Sequence, residues 1–157
     1  MARKARLRSK SRLYHILLRG IEKQDIFIDD EDKNKMMQIL KDKKQDKAFY
    51  IYAYCILSNH IHLAIREGND DITRIFKRAT TSYASYFNKK YSRSGPVFQG
   101  RFKSETVDDE QSLLALTRFI HQNSEKSGIA NYFWSSYWEY TGRNEGVADC
   151  SEILDII

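Results

Sequence analysis

Residues 50–65, YIYAYCILSNHIHLAI, alternate aromatic with aliphatic residues and break once, at Ser58-Asn59. This is the pattern of two strands joined by a tight turn. In a strand, residues i and i+2 project from the same face, so the imidazoles of His60 and His62 point the same way. Two readings follow. The pair is either two half-exposed histidines on a sheet, or two metal ligands held close together by the pleat.

Working outward, YHILLRG (14–20) is a short apolar run closed by glycine, a first strand. Asp29 or Asp30 caps a helix through DDEDKNKMMQILKDKKQ, whose apolar stripe is Met36, Met37 and Leu40. After the hairpin and a Gly68-Asn69-Asp70-Asp71 loop, ITRIFKRATTSYASYFNKKY is helical. It places Ile72, Ile75, Phe76, Ala79, Tyr83, Tyr86 and Phe87 on one face and Arg74, Lys77, Arg78, Lys89 and Lys90 on the other. SRSGPVFQGRFKSETV holds the only proline and turns into a further strand. Asp108 or Asp109 then caps the helix EQSLLALTRFIHQNSEKSG, closed by Gly128. The order β-α-β-β-α-β-α fits an α+β, ferredoxin-like sandwich, an antiparallel sheet with helices on one face. Residues 129–142 are rich in aromatics, and VADCSEILDII can form a short terminal helix. The expected organisation is a basic arm over 1–12, one domain over 13–142 and a tail or short helix over 143–157.

The 157 residues, 41% hydrophobic and 13% aromatic, suit a single domain with a real core. The arm carries Arg3, Lys4, Arg6, Arg8, Lys10 and Arg12 with no acid, more positive charge than the whole net +5. Such an arm is either a solvated terminus or the footprint of a polyanion binder. Cys55 and Cys150 are too few and too distant for a disulfide framework or a thiolate metal site. No apolar run reaches the roughly 20 residues of a membrane helix, and the basic start lacks the core of a signal peptide. The cytoplasm is the expected compartment, with no membrane partner.

Two imidazoles alone hold a divalent ion poorly, so the metal reading needs a third ligand. Asn123 offers one. It lies one helical turn after Phe119, on the same helix face, although a helix-capping role explains an asparagine there equally well.

YAYCILSNHIHLAI resembles the HUH motif, two histidines flanking a hydrophobic residue, of the single-tyrosine transposases and especially their REP-associated branch. The resemblance runs from RLYHILLRG through SYASYFNKKYSRSGPVFQGRFKS to LLALTRFIHQNSEKSGI and WSSYWEY, over roughly residues 12–142. It implies a ferredoxin-like fold with the histidines on a central strand and the remaining site residues on a later helix. Members of this family cut single-stranded DNA. Their Mg²⁺ or Mn²⁺, held by two histidines and an Asn or Gln, polarises the scissile phosphate. A tyrosine attacks it, giving a 5′-phosphotyrosine and a free 3′-OH. By position, His60 and His62 match the motif histidines and Asn123 the third ligand.

The nucleophile belongs to a pattern that usually reads Arg-Tyr-Ile-His-x-Asn-Pro, and here the chain reads Arg118-Phe119-Ile120-His121-Gln122-Asn123-Ser124. Phenylalanine keeps the ring but has no oxygen to attack phosphorus. Cleavage as the family performs it is therefore expected to be absent, with metal and DNA binding retained. A deliberate Tyr-to-Phe exchange and a natural copy that lost cleavage both fit, and Ser124 in place of Pro is a second departure. Tyr83, Tyr86 and Tyr91 are the other hydroxyls to weigh, against aromatic packing. His15 and His121 read as surface histidines.

Family members recognise imperfect hairpins, so hairpin single-stranded DNA is the expected partner. Phosphate contacts are expected from Arg3, Lys4, Arg6, Arg8, Lys77, Arg78, Lys89, Lys90, Arg101 and Lys103, and base stacking from Tyr and Phe side chains. A homodimer is open to the chain, as in short insertion-sequence transposases, while the REP-associated branch resembles a monomer. Two other classes compete: a non-catalytic DNA-binding module or repressor derived from a transposase, and a sheet-based RNA binder. The second leaves His60, His62 and Asn123 without a common purpose.

Overall fold

The computed structural model describes residues 10–126, 134–140, 148–151 and 153. Four strands, β1 (Leu13–Arg19), β2 (Phe49–Ile56), β3 (His60–Glu67) and β4 (Lys103–Val107), form one sheet in the order β2-β3-β1-β4, antiparallel throughout. The connections β1-α1-β2-β3-α2-β4 give the expected ferredoxin-like α+β sandwich, with α1 (Asp30–Lys43), α2 (Ile72–Lys90), α3 (Glu110–Lys126) and a short α4 (Tyr137–Tyr140).

Period-two patterning decides which side chains meet. Tyr14, Ile16 and Leu18 of β1 and Ile61, Leu63 and Ile65 of β3 form the main core with Met36, Ile39 and Leu40 of α1 and Ile75, Phe76, Ala79 and Tyr83 of α2. The odd-numbered residues of β1 and the even-numbered residues of β3 face the other way. There Ala53 and its register partner Ala64, both fully buried, leave room for α3, whose Leu113 and Ile120 pack beneath them. The expected placement of the helices on one face thus describes α1 and α2, and α3 covers the opposite one. The reason is that β2 and β3 are apolar on both sides, and a second apolar face must also be shielded from water. A bulge between Ile51 and Ala53 turns Tyr52 toward that second face as well.

The caps follow the sequence. Asp29, not Asp30, caps α1: its Oδ1 accepts from Asp32 N at 2.9 Å while Asp32 Oδ2 accepts from Asp29 N, a reciprocal capping box. Asp71 caps α2 and Asp109 caps α3. The turn at Ser58-Asn59 is pinned by Gly20 N donating to Asn59 O and by Ile26 N and Phe27 N donating to Ser58 O. Gly20 is needed there, since a Cβ would lie 2.2 Å from the Gln24 carbonyl oxygen.

Asp32 is fully buried and accepts hydrogen bonds from Ile28 N, Tyr86 Oη, Tyr91 Oη and Lys90 Nζ. Replacing it with Ala strands these donors and removes the capping box. Asp32→Ala is therefore expected to cost about 3 kcal/mol, roughly 6–12 °C in a thermal melt of a domain this size. An unchanged midpoint would show that the cluster adds nothing to the fold.

Candidate functional site

The hairpin register sets the site. Pairing of β1 with β3 puts Arg19 opposite His60, Leu17 opposite His62 and His15 opposite Ala64. Arg19, His60, His62 and His15 therefore share the face that α3 covers. The rings of His60 and His62 lie 5.0 Å apart and nearly perpendicular, and His15 stacks on His62 at 5.2 Å. Phe119, 39% exposed, turns its ring edge-on to both, at 5.6 Å from His62 and 6.1 Å from His15.

The hydrogen bonds fix which nitrogens are available. Asn59 Oδ1 is only an acceptor, and His60 Nδ1 lies 2.6 Å from it, so Nδ1 carries the proton and Nε2 keeps its lone pair. His62 Nδ1 is joined to His15 Nε2 at 3.0 Å, which likewise leaves His62 Nε2 without a hydrogen bond among the described residues. Burial lowers the pKa of all three. His62 is pushed down to about 4 by burial, then by His60, His15 and Arg19. His60 is lowered by burial and then by Arg19, and His15 by burial against the opposing charge of Glu105. Neutral imidazoles are the form that binds metals.

Asn123 is 9% exposed, on the buried stripe of α3 with Leu113, Thr117 and Ile120, one turn beyond Phe119. Its Nδ2 donates to Phe119 O at 3.3 Å, which leaves the amide oxygen for another partner. Two ring nitrogens and one amide oxygen suit a small divalent ion completed by water or phosphate oxygens. Among the described residues no three His, Cys, Asp or Glu side chains are arranged to hold a metal. A third ligand there has to come from an amide or from a bound phosphate.

The other tyrosines are elsewhere. Tyr83 donates to Ile26 O, and Tyr86 and Tyr91 donate to Asp32, all on the α1–α2 side of the sheet. Their pKa values are raised by burial first and, second, by Asp32. They are packing residues with satisfied hydroxyls. His121 is no surface histidine. Burial pushes it down to about 4, and its Nε2 lies 2.7 Å from Ser136 Oγ. It anchors residues 134–136, which extend the outer edge of β2 through Ile56 N to Trp134 O and Ser136 N to Tyr54 O.

Comparison with known proteins agrees with this fold. The family described as Transposase IS200 like matches residues 9–123. The chain belongs to that family. The fold also matches a solved REP-associated tyrosine transposase bound to a REP hairpin, at 17% identity, TM-score 0.71 and 96% coverage of both chains. A protein from Deinococcus radiodurans R1 assigned as a transposase matches at 16% identity and TM-score 0.50, over 80% of this chain and 97% of its own. Among proteins of curated function, none matches the sequence.

The basic residues of this IS200-like transposase fall into distinct groups. Arg3, Lys4, Arg6 and Arg8 lie outside the described residues. Lys77 and Arg101 line one cavity together with Arg19, which sequence reasoning missed. Lys103, opposite Leu17 in the β1–β4 register, shares the histidine face. Arg78 lies 3.8 Å from Asp70, and Lys89 is exposed in the last turn of α2. Lys90 is ion-paired with Asp29, Glu31 and Asp32 at 2.7, 3.2 and 3.0 Å, far from the histidines in role. No helix among the described residues is long and apolar enough to cross a membrane.

Proposed function

We propose that this transposase-family chain binds hairpin single-stranded DNA and holds Mg²⁺ or Mn²⁺ through His60 Nε2, His62 Nε2 and the Asn123 amide oxygen. Because Phe119 has no hydroxyl, it binds without cutting. The observation that carries the reading is the Phe119 ring standing edge-on to His62, one turn before Asn123. That is where an attacking tyrosine would be needed. When bound, the ion would act as a Lewis acid on a phosphate oxygen. The chain's own part is to present two neutral imidazoles whose Nδ1 atoms are engaged by Asn59 and His15, and to supply cations for the backbone of the strand. The related structure bound to a REP hairpin supports a hairpin ligand here. The action proposed is cytoplasmic, by a monomer or a homodimer.

The test is selection from a pool of DNA hairpins with randomised loops and flanks. The chain is expected to enrich imperfect hairpins over unstructured strands by at least about tenfold, roughly 1.4 kcal/mol, with affinity falling as salt rises. Equal retention of hairpin, unstructured and duplex DNA would remove the reading.

A further inference from the structure

A cavity of about 450 Å³ opens between α2 and residues 98–102, which run beside the end of β1 on their way into β4. That volume lies in the range of small-ligand sites. Its floor is Leu18, Phe98 and Phe102 and its rim carries Lys77 and Arg101, while Arg19 borders it from the end of β1 with its side chain on the histidine face. The two aromatic rings are held from behind by the core. Phe102 lies 5.3 Å from Phe76, and Phe98 lies 5.9 Å from Tyr83. Neither of the two rim cations makes an ion pair among the described residues, whereas Lys44, Arg74, Arg78 and Lys90 all face carboxylates. Unneutralised cations gathered over a fixed aromatic floor match a ligand that is anionic at one end and flat and apolar at the other. Inorganic phosphate would use only the rim, and an apolar compound only the floor.

We propose that this cavity is a subsite for one unpaired nucleotide of the bound strand, its base against Phe98 and Phe102 and its phosphate on Lys77 and Arg101. Arg19 joins the cavity and the histidine site along β1, since it borders the cavity and its register partner is His60. The cavity opens on the α2 side of the sheet and the histidines on the side of α3, so a strand that serves both passes the end of β1 at Arg19, and the cavity selects which base is held there. This inference rests on the proposed binding of single-stranded DNA.

The experiment titrates the nitrogen-15-labelled chain with each of the four deoxynucleoside 5′-monophosphates and, separately, with inorganic phosphate. Amide signals of Thr73, Lys77, Gly100 and Arg101 are expected to shift and saturate, with one base preferred and with phosphate alone at least about tenfold weaker. Thr73→Trp, at an exposed position of α2 on the cavity wall, is expected to abolish the saturation while the thermal midpoint stays put. Arg101→Gln, in the exposed loop, is expected to weaken it by about fivefold. Shifts that never saturate, that are equal for phosphate and nucleotide, or that survive both substitutions would overturn the subsite. The titration needs no hairpin. A silent cavity in a chain that still enriches hairpins removes the subsite alone, whereas failure to enrich hairpins removes the functional reading beneath it.

Discussion

Phe119→Tyr is expected to convert the chain from a protein that only binds hairpin single strands into one that becomes covalently joined to them in the presence of Mn²⁺. The ring of Phe119 is already placed, 39% exposed, with its edge toward His62 and His15. The change adds one oxygen without asking the backbone to move. That oxygen bonds to phosphorus, the bond from phosphorus to the 3′ oxygen breaks, and the departing oxygen takes up a proton to become a 3′-OH. One phosphodiester replaces another, so no outside energy source is needed and the step can run backward. Adduct on a denaturing gel should rise at least about a thousandfold over the unmodified chain, which has no attacking atom at that position. Chelator should abolish it, as should adding His60→Ala to the revertant. An adduct from the unmodified chain would move the nucleophile away from residue 119. Its absence from a revertant that still binds hairpins would favour the non-catalytic binding module.

The parts of this site that the sequence made legible are those set by local periodicity. His60 and His62 share a strand face because the period of a strand is two, and Phe119 and Asn123 share a helix face because they are one turn apart. The bounds of β3 and α2 and the caps at Asp29 and Asp109, each one of two neighbouring aspartates the sequence offered, follow from the same local rules, whereas Asp71 read only as loop. What escaped depends on pairing across the chain. His15 sits in an apolar run with no sign of its partner, and only the β1–β3 register brings it to His62. Lys90 looks like any other lysine on the charged face of α2 until α1 lays three carboxylates against it. The converse holds for Arg19. It closes a short strand and gives no signal of its own, yet it stands between the histidines and the cavity. The placement of α3 on the second face was hidden too, because Ala53 and Ala64 read as ordinary strand residues and matter only as a pair.

The largest loss of metal affinity is expected from His62→Ala, and a smaller one from His15→Phe, which leaves both proposed imidazole ligands in place. His62→Ala removes one of two proposed nitrogen donors. Manganese affinity should then fall at least about a hundredfold. His15→Phe keeps a ring of similar size against His62 and Phe119 but deletes the hydrogen bond to His62 Nδ1. Partners that orient a ligating imidazole typically contribute 10- to 100-fold in affinity, so a loss of about tenfold is expected. Glu105 lies opposite His15 in the β1–β4 register, and its negative charge favours a positive His15 ring. A positive ring carries protons on both nitrogens and cannot accept from His62 Nδ1, so Glu105→Gln should act weakly and in the opposite direction. Affinity alone does not separate orientation from packing, and the tautomer does. With His15 present, nitrogen-15 imidazole shifts should report the proton of His62 on Nδ1, and in His15→Phe a mixture of both tautomers. If His15→Phe leaves the shifts and the manganese affinity unchanged, His15 serves only to fill space beside His62, and the Nε2 of that ligand is presented by the strand alone.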